Sequence, residues 1–265
     1  FNDVGHARHS AIAGFGDSQV YVRGNILHHC TLAGMDSQPP STIDLTGNTV
    51  HSNLAHGFFG TKQSTGVARG NKLRNNQCVG IHLAGKSQFD LANNSISDNR
   101  QSGICVQESA KAGICKNTIF RNSYGIDLTD TCRVEEICSN VCSDNLKGGV
   151  HATEQTTVVL CKQNRCFNNK HSGIVIRGKG GCVWDNVCYG NGYNGIGIEG
   201  VRASANVLHN HAYANKMLGI FIAGMHVRVS VLANHCYKNK VGGIAYSVQN
   251  FSQMQQEHDL DAMRA

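Results

Sequence analysis

The sequence predicts an all-β parallel β-helix, a solenoid of about eleven stacked coils of ~23 residues each, with a short C-terminal capping helix. Three observations carry this expectation. The motif Asn-x-apolar-x-x-Asn-x-x-x-Gly-Ile-x-apolar recurs along the chain, clearest in Asn71 to Leu83 (NKLRNNQCVGIHL) and Asn94 to Val106 (NSISDNRQSGICV). Each repeat holds short alternating runs, such as Gly80 to Leu83, Thr157 to Leu160 and Gly173 to Ile176, which read as period-two strands. The composition sets 30 glycines against 2 prolines, which fits neither a proline-rich disordered chain nor a collagen.

The leading asparagine recurs at Asn25, Asn48, Asn71, Asn94 and onward to Asn234, with Asn2 a degenerate first copy. A second follows five positions later, from Asn53 to Asn239, and coil two has Cys30 in its place. Coils stack about 4.8 Å apart, so equivalent positions become ladders along the axis. Val50, Leu73, Ile96 and Ile119 form one inward column, and Ile81, Ile104, Ile126 and Ile174 another. Stacked amides hydrogen-bond one another and the turn backbone, so the asparagines read as turn ladders. The glycine column through Gly57, Gly80 and Gly103 marks a place where a side chain would obstruct. A leucine-rich repeat of similar length is excluded because leucine shows no matching period. After Tyr246 the repeat stops, and Val248, Phe251, Met254 and Met263 fall at helical spacing. The expected organisation is a β-helix over 1–247 and a capping helix or tail over 248–265.

With 40% apolar residues and no long apolar run, the chain is expected to be globular without a membrane span. The net charge of +6 comes from scattered basic residues rather than a block, so no nucleic-acid partner is expected. The chain begins at Phe1, and a trimmed part of a longer protein is the expectation.

Twelve cysteines in a chain of this length do not read as a disulfide scaffold. Cys142, Cys166, Cys188 and Cys236 take an inward apolar slot and act there as small hydrophobes. Cys115, Cys138 and Cys161 are expected in one column on the preceding strand. Cys138 and Cys142 alone approach zinc-ligand spacing, so neither metal nor cofactor is expected. Free thiols in this number point to cytosol or nucleus, although cysteines on adjacent coils lie within bonding range.

The repeat from about Asn25 to Tyr246 resembles the right-handed parallel β-helix repeat superfamily, which includes the pectate-lyase-like enzymes. It is most similar to the regular repeats of the carbohydrate-binding and sugar-hydrolase type, which also occur in β-helical F-box receptors and periplasmic copper-site maturation proteins. The resemblance implies a right-handed coil. The Asp-Pro-His-Asp motif of alginate-type epimerases and the Asp-Asp pairs of polygalacturonase-like hydrolases are both missing from this sequence.

Function is expected on outward columns, since the inward ones serve every coil alike. One column runs from His28, His51 and Arg74 to Phe167, Tyr189, Tyr213 and Tyr237, basic at its start and aromatic at its end. Its aromatic end suits sugar rings or a partner's apolar side chains, and its basic end an acidic ligand. A second column places Cys105, Asp127 and His151 on consecutive coils, a composition capable of acid–base or nucleophilic chemistry. The order is unusual, because the carboxylate lies in the middle. Arg177 and Glu199 read as an exposed ion pair of little energetic weight. The expected function is a recognition scaffold binding a protein segment or glycan, within a larger protein or assembly. The alternative is a polysaccharide lyase, hydrolase or epimerase.

Overall fold

The computed structural model describes residues 1–247, which form three parallel sheets of 11, 11 and 10 strands and, among those residues, no helix. One coil shows the path: Lys72–Arg74 lies in the first sheet, Ile81–Leu83 in the second, Gln88–Ala92 in the third, and Ser95–Ser97 returns to the first. The register is in step throughout the first sheet, with Leu73 opposite both Val50 and Ile96. The capping helix expected over 248–264 lies outside the described residues.

The asparagine ladders explain the motif. Asn94 donates from its backbone N–H and its Nδ2 to Asn117 Oδ1, at 3.0 and 2.9 Å, and Nδ2 also donates to the carbonyl of Ala68 at 2.8 Å. Its own Oδ1 accepts the same pair of bonds from Asn71, both at 3.0 Å. Each buried amide therefore has its donors and acceptor engaged by the coils on either side, which offsets the cost of removing it from water. The second ladder repeats the scheme from Asn53 to Asn239. Cys30 ends it, keeping only the backbone donation to Asn53 Oδ1 at 3.0 Å.

Gly80 has no room for a side chain. A Cβ there would lie 2.5 Å from Ile96 Cγ2 and 2.6 Å from the carbonyl oxygen of Gly103. The first-sheet strands also end in a column of left-handed residues that composition did not show. It includes His6, His29, Ser52, Asn75, Asp98 and Arg121, with φ between 52° and 58°. Histidine and asparagine tolerate this region better than most side chains.

The interior is filled by the predicted columns, with Leu27, Val50, Leu73, Ile96 and Ile119 continuing into buried Cys142, Cys166 and Cys188. Another expectation needs correction. Cys115 and Cys138 are register partners joined by a disulfide, with Cα atoms 4.6 Å apart. Cys161, however, sits opposite Ile137, and Lys162 opposite Cys138. The six-residue strands Arg133–Cys138 and Thr157–Lys162 pair in step, but this coil takes 24 residues, as from Asn140 to Asn164, so Cys161 falls one position short of the column of the other two.

Candidate functional site

The outward column of the second sheet reads Phe59, His82, Cys105, Asp127, His151, Val175 and Gly197. Strand pairing places Asp127 beside His151, and the carboxylate Oδ1 lies 2.9 Å from imidazole Nδ1. Ser102 Oγ donates to the other carboxylate oxygen at 3.3 Å. Both side chains keep a narrow exposed edge, 14% for His151 and 18% for Asp127. A carboxylate can only accept, so Nδ1 bears the hydrogen and Nε2 carries the free lone pair.

Tyr124, in the turn before this strand, lays its ring flat against His151, with centroids 4.8 Å apart and planes at 12°. Burial and the Asp127 charge push the Tyr124 phenol up, so it stays protonated, while the Arg177 charge acts the other way. The Lys147 ammonium sits 5.0 Å from the Tyr124 ring centroid. The Arg177–Glu199 pair, expected to be exposed, is instead half sunk, with Nε to Oε2 at 3.6 Å and the Glu199 side chain only 8% exposed. Glu199 folds over Gly197, where a Cβ would meet its Oε1 at 2.5 Å. Burial pushes the Glu199 carboxyl up, against the Arg177 and His151 charges that favour ionisation. Tyr124, Asp127, His151, Arg177 and Glu199 thus form one partly desolvated polar group.

Cys105 is next to Asp127 in the column but chemically apart from it. Burial, and then the Asp127 charge, push its thiol up to about 12, which holds it as a neutral thiol at physiological pH. The structure therefore brings together the imidazole and carboxylate of the expected trio.

The other candidate column lies on the first sheet. Phe167, Tyr189, Tyr213 and Tyr237 stack ring on ring, at 5.0, 5.0 and 4.9 Å with planes within 6° of parallel. Their faces cover one another, so the ladder offers ring edges and three phenolic hydroxyls. At the basic end His28 stacks on His51 at 5.2 Å and 8°, and Arg74 lies exposed beyond them. Sequence reasoning missed Tyr124, His6, His29 and His56. All four sit in turns rather than in the columns that alternation makes visible.

This architecture defines a right-handed parallel β-helix protein. A right-handed β-helix family model matches residues 149–256, and the model described as periplasmic copper-binding protein (NosD) matches residues 2–147. The chain belongs to the NosD family. A point mutant of the periplasmic alginate epimerase AlgG has a similar fold, with TM-score 0.57 and 15% identity over 82% of this chain and 61% of that one. The chain thus spans under two thirds of that structure's length. The A-module of Azotobacter vinelandii mannuronan C-5 epimerase AlgE4 is similar at TM-score 0.56 and 13% identity, over 84% of this chain and 70% of that one. At these identities the likeness is one of fold. No curated protein matches the chain.

The expected cytosolic or nuclear placement is overturned. The matching family is described as periplasmic, and Cys115 and Cys138 form a disulfide. The cysteine count misled because most of these thiols are buried core atoms, whose number says nothing of redox compartment.

Proposed function

We propose that this chain acts on an acidic polysaccharide laid across the second sheet, with His151 as the base that removes a proton from the carbon next to a uronate carboxylate. The single observation carrying this reading is the Asp127–His151 hydrogen bond of 2.9 Å with Tyr124 stacked above it. Asp127 fixes the tautomer in which Nε2 is basic and stabilises the imidazolium once formed. In the reaction the C–H bond breaks, the proton passes to Nε2, and the electron pair spreads into the carboxylate. Lys147 and Arg177 supply positive charge near the site for that developing anion. Tyr124, kept protonated, is the proton donor. Returning a proton to the opposite face gives the epimer, whereas losing the neighbouring glycosidic oxygen gives an unsaturated end.

Incubation with mannuronate, guluronate and galacturonate polymers in deuterium oxide, followed by proton NMR, tests this reading. Loss of the ring hydrogen signal next to the carboxylate is expected, and its loss should slow about 100-fold or more in His151→Ala. Unchanged polymers across all three classes would remove the reading.

A second reading, recognition without chemistry, is favoured by the aromatic ladder. Its hydroxyl row on Tyr189, Tyr213 and Tyr237 forms a hydrogen-bonding edge for a glycan or a protein segment. Retention on immobilised polysaccharide that falls in Tyr189→Ala and Tyr213→Ala but not in His151→Ala would select it.

A further inference from the structure

The outward column that carries Asp127 and His151 begins nearer the start of the chain with Asp36, Phe59 and His82, in register from coil to coil. Phe59 stands three strands before Asp127, about 14 Å away at the strand spacing. Cys105, between His82 and Asp127, is buried, whereas Asp36, Phe59 and His82 are each half-buried. The Phe59 ring lies against two imidazoles, His56 at 5.2 Å and 29° and His82 at 5.0 Å and 31°. Its column neighbour on the other side is Asp36, a short side chain, so no third ring covers it there.

The polar groups around this ring are neutral or negative. His56 Nδ1 accepts the Val79 backbone N–H at 3.3 Å, so the His56 hydrogen is on Nε2, 3.3 Å from His82 Nδ1. His82 therefore carries its own hydrogen on Nε2. Burial, and secondarily the His82 charge, lower His56 to about 4, and burial lowers His82 against the Gln107 and Glu108 side chains, so both rings are neutral at physiological pH. Gln38 Nε2 donates to both Asp36 oxygens, at 3.1 and 2.9 Å. Burial pushes the Asp36 carboxyl up, and among the described residues no cation pairs with it. The cations Lys147 and Arg177 stand instead at the Asp127–His151 end. The face is therefore polarised along its length.

An aromatic ring beside a planar amide and a carboxylate suits a sugar, whose apolar C–H face lies on the ring while its hydroxyls donate to the side-chain oxygens. A uronate in the same place would set its carboxylate against Asp36 with no cation to offset the repulsion. We propose that Asp36, Gln38, Phe59 and His82 form a subsite for an uncharged hexose of the same polymer whose uronate reaches His151, so that the substrate is a mixed neutral and acidic polysaccharide rather than a uronate homopolymer. The subsite rests on the polysaccharide reading of His151 and adds the composition of the chain that reading requires. A uronate homopolymer still reaches His151 but forfeits the contact at Phe59. No bond is made or broken at the subsite, which serves to hold and select.

Calorimetric titration of the whole chain with short oligomers of glucose, mannose and galactose, set beside oligomers of mannuronate, tests the subsite. At least one neutral oligomer should bind, and about 10-fold more weakly to Phe59→Ala. Tyr21→Ala, which removes an exposed ring on the third sheet, should bind it as the wild type does. Asp36→Asn keeps the size of the side chain and removes its charge, so mannuronate oligomers should bind this variant about 5-fold more tightly than the wild type. Thermal unfolding of each variant confirms that the coil is intact. No binding of any neutral oligomer, an equal loss in Tyr21→Ala and Phe59→Ala, or unchanged mannuronate binding in Asp36→Asn would overturn the subsite. If deuterium exchange in uronate polymers persists under those results, the chemistry at His151 stands without it. Phe59-dependent binding with no exchange in any polymer would remove that chemistry and keep the sugar site.

Discussion

Asn94 receives two hydrogen bonds from Asn71 on one side and gives two to Asn117 on the other, so a single amide closes the polar bonding of three consecutive coils. Asn94→Ala removes the acceptor of the Asn71 backbone N–H and the donor to the Ala68 carbonyl, both out of reach of water. A loss of roughly 3–5 kcal/mol is expected at about 1–3 kcal/mol for each stranded group. Asn234→Ala, at the half-buried end of the same ladder, should cost about 1 kcal/mol, since solvent replaces what is lost. Urea unfolding of both variants measures the difference, and equal losses would contradict it.

Gly80→Ala should destabilise by about 3 kcal/mol or more, or fail to fold, because its Cβ meets both Ile96 and the Gly103 carbonyl. Gly47→Ala meets nothing within 4 Å and carries only the strain of φ near 67°, so about 1 kcal/mol is expected. Thermal unfolding ranks the two, and the opposite order would contradict the close-approach account.

The Cys115–Cys138 disulfide closes a loop with a sequence separation of 23. Replacing both cysteines by serine should lower stability by about 3 kcal/mol, from chain entropy in the unfolded state. A reducing agent should lower the wild type by a similar amount and leave the double variant unchanged. Urea unfolding with and without dithiothreitol is the measurement.

Acid should weaken the fold before its carboxylates titrate. Burial, and secondarily the His82 charge, lower His56 to about 4, while burial lowers His82 as well. A histidine depressed in the fold contributes no penalty above its unfolded value near 6.5. Below that value the unfolded chain takes up a proton that the fold refuses. Stability is therefore lost as pH falls from about 6.5 to 4, by roughly 3 kcal/mol at most from His56. His56→Gln should flatten that part of the curve, measured by urea unfolding at pH 7, 6 and 5.

Almost the entire coil pattern was legible in the sequence, because each turn repeats the same inward asparagine, glycine and aliphatic residues and so states its geometry about ten times. The candidate sites were legible only where strand alternation applies. Asp127 and His151 emerged because register makes them neighbours, and Cys105 emerged with them although burial keeps its thiol neutral. Tyr124 did not emerge, and Glu199 emerged only as an ion-pair partner of Arg177, since their approach to His151 depends on how a turn residue and a side chain at a strand end fold back. The histidines at the basic end of the first-sheet column were half visible, as His28 and His51. Their other half, His6 and His29, lies in a turn column whose left-handed backbone carries no fixed residue type. A register error arose where a coil takes 24 residues instead of 23, as between Cys138 and Cys161.

The ladders also quantise the length of the molecule. Asn48, Asn71 and Asn94 follow one another at intervals of 23 residues, and each offers its neighbour the same donors and acceptor. Excising residues 71–93 would seat Asn48 on Asn94 with every amide still matched, whereas removing half that span would leave both ladders out of phase. Such a protein can shorten or lengthen by whole turns. The His28–His51 stack and the Asp127–His151 face lie on opposite sides of that excision, so the distance between them is set by how many turns are threaded between, in steps of about 4.8 Å.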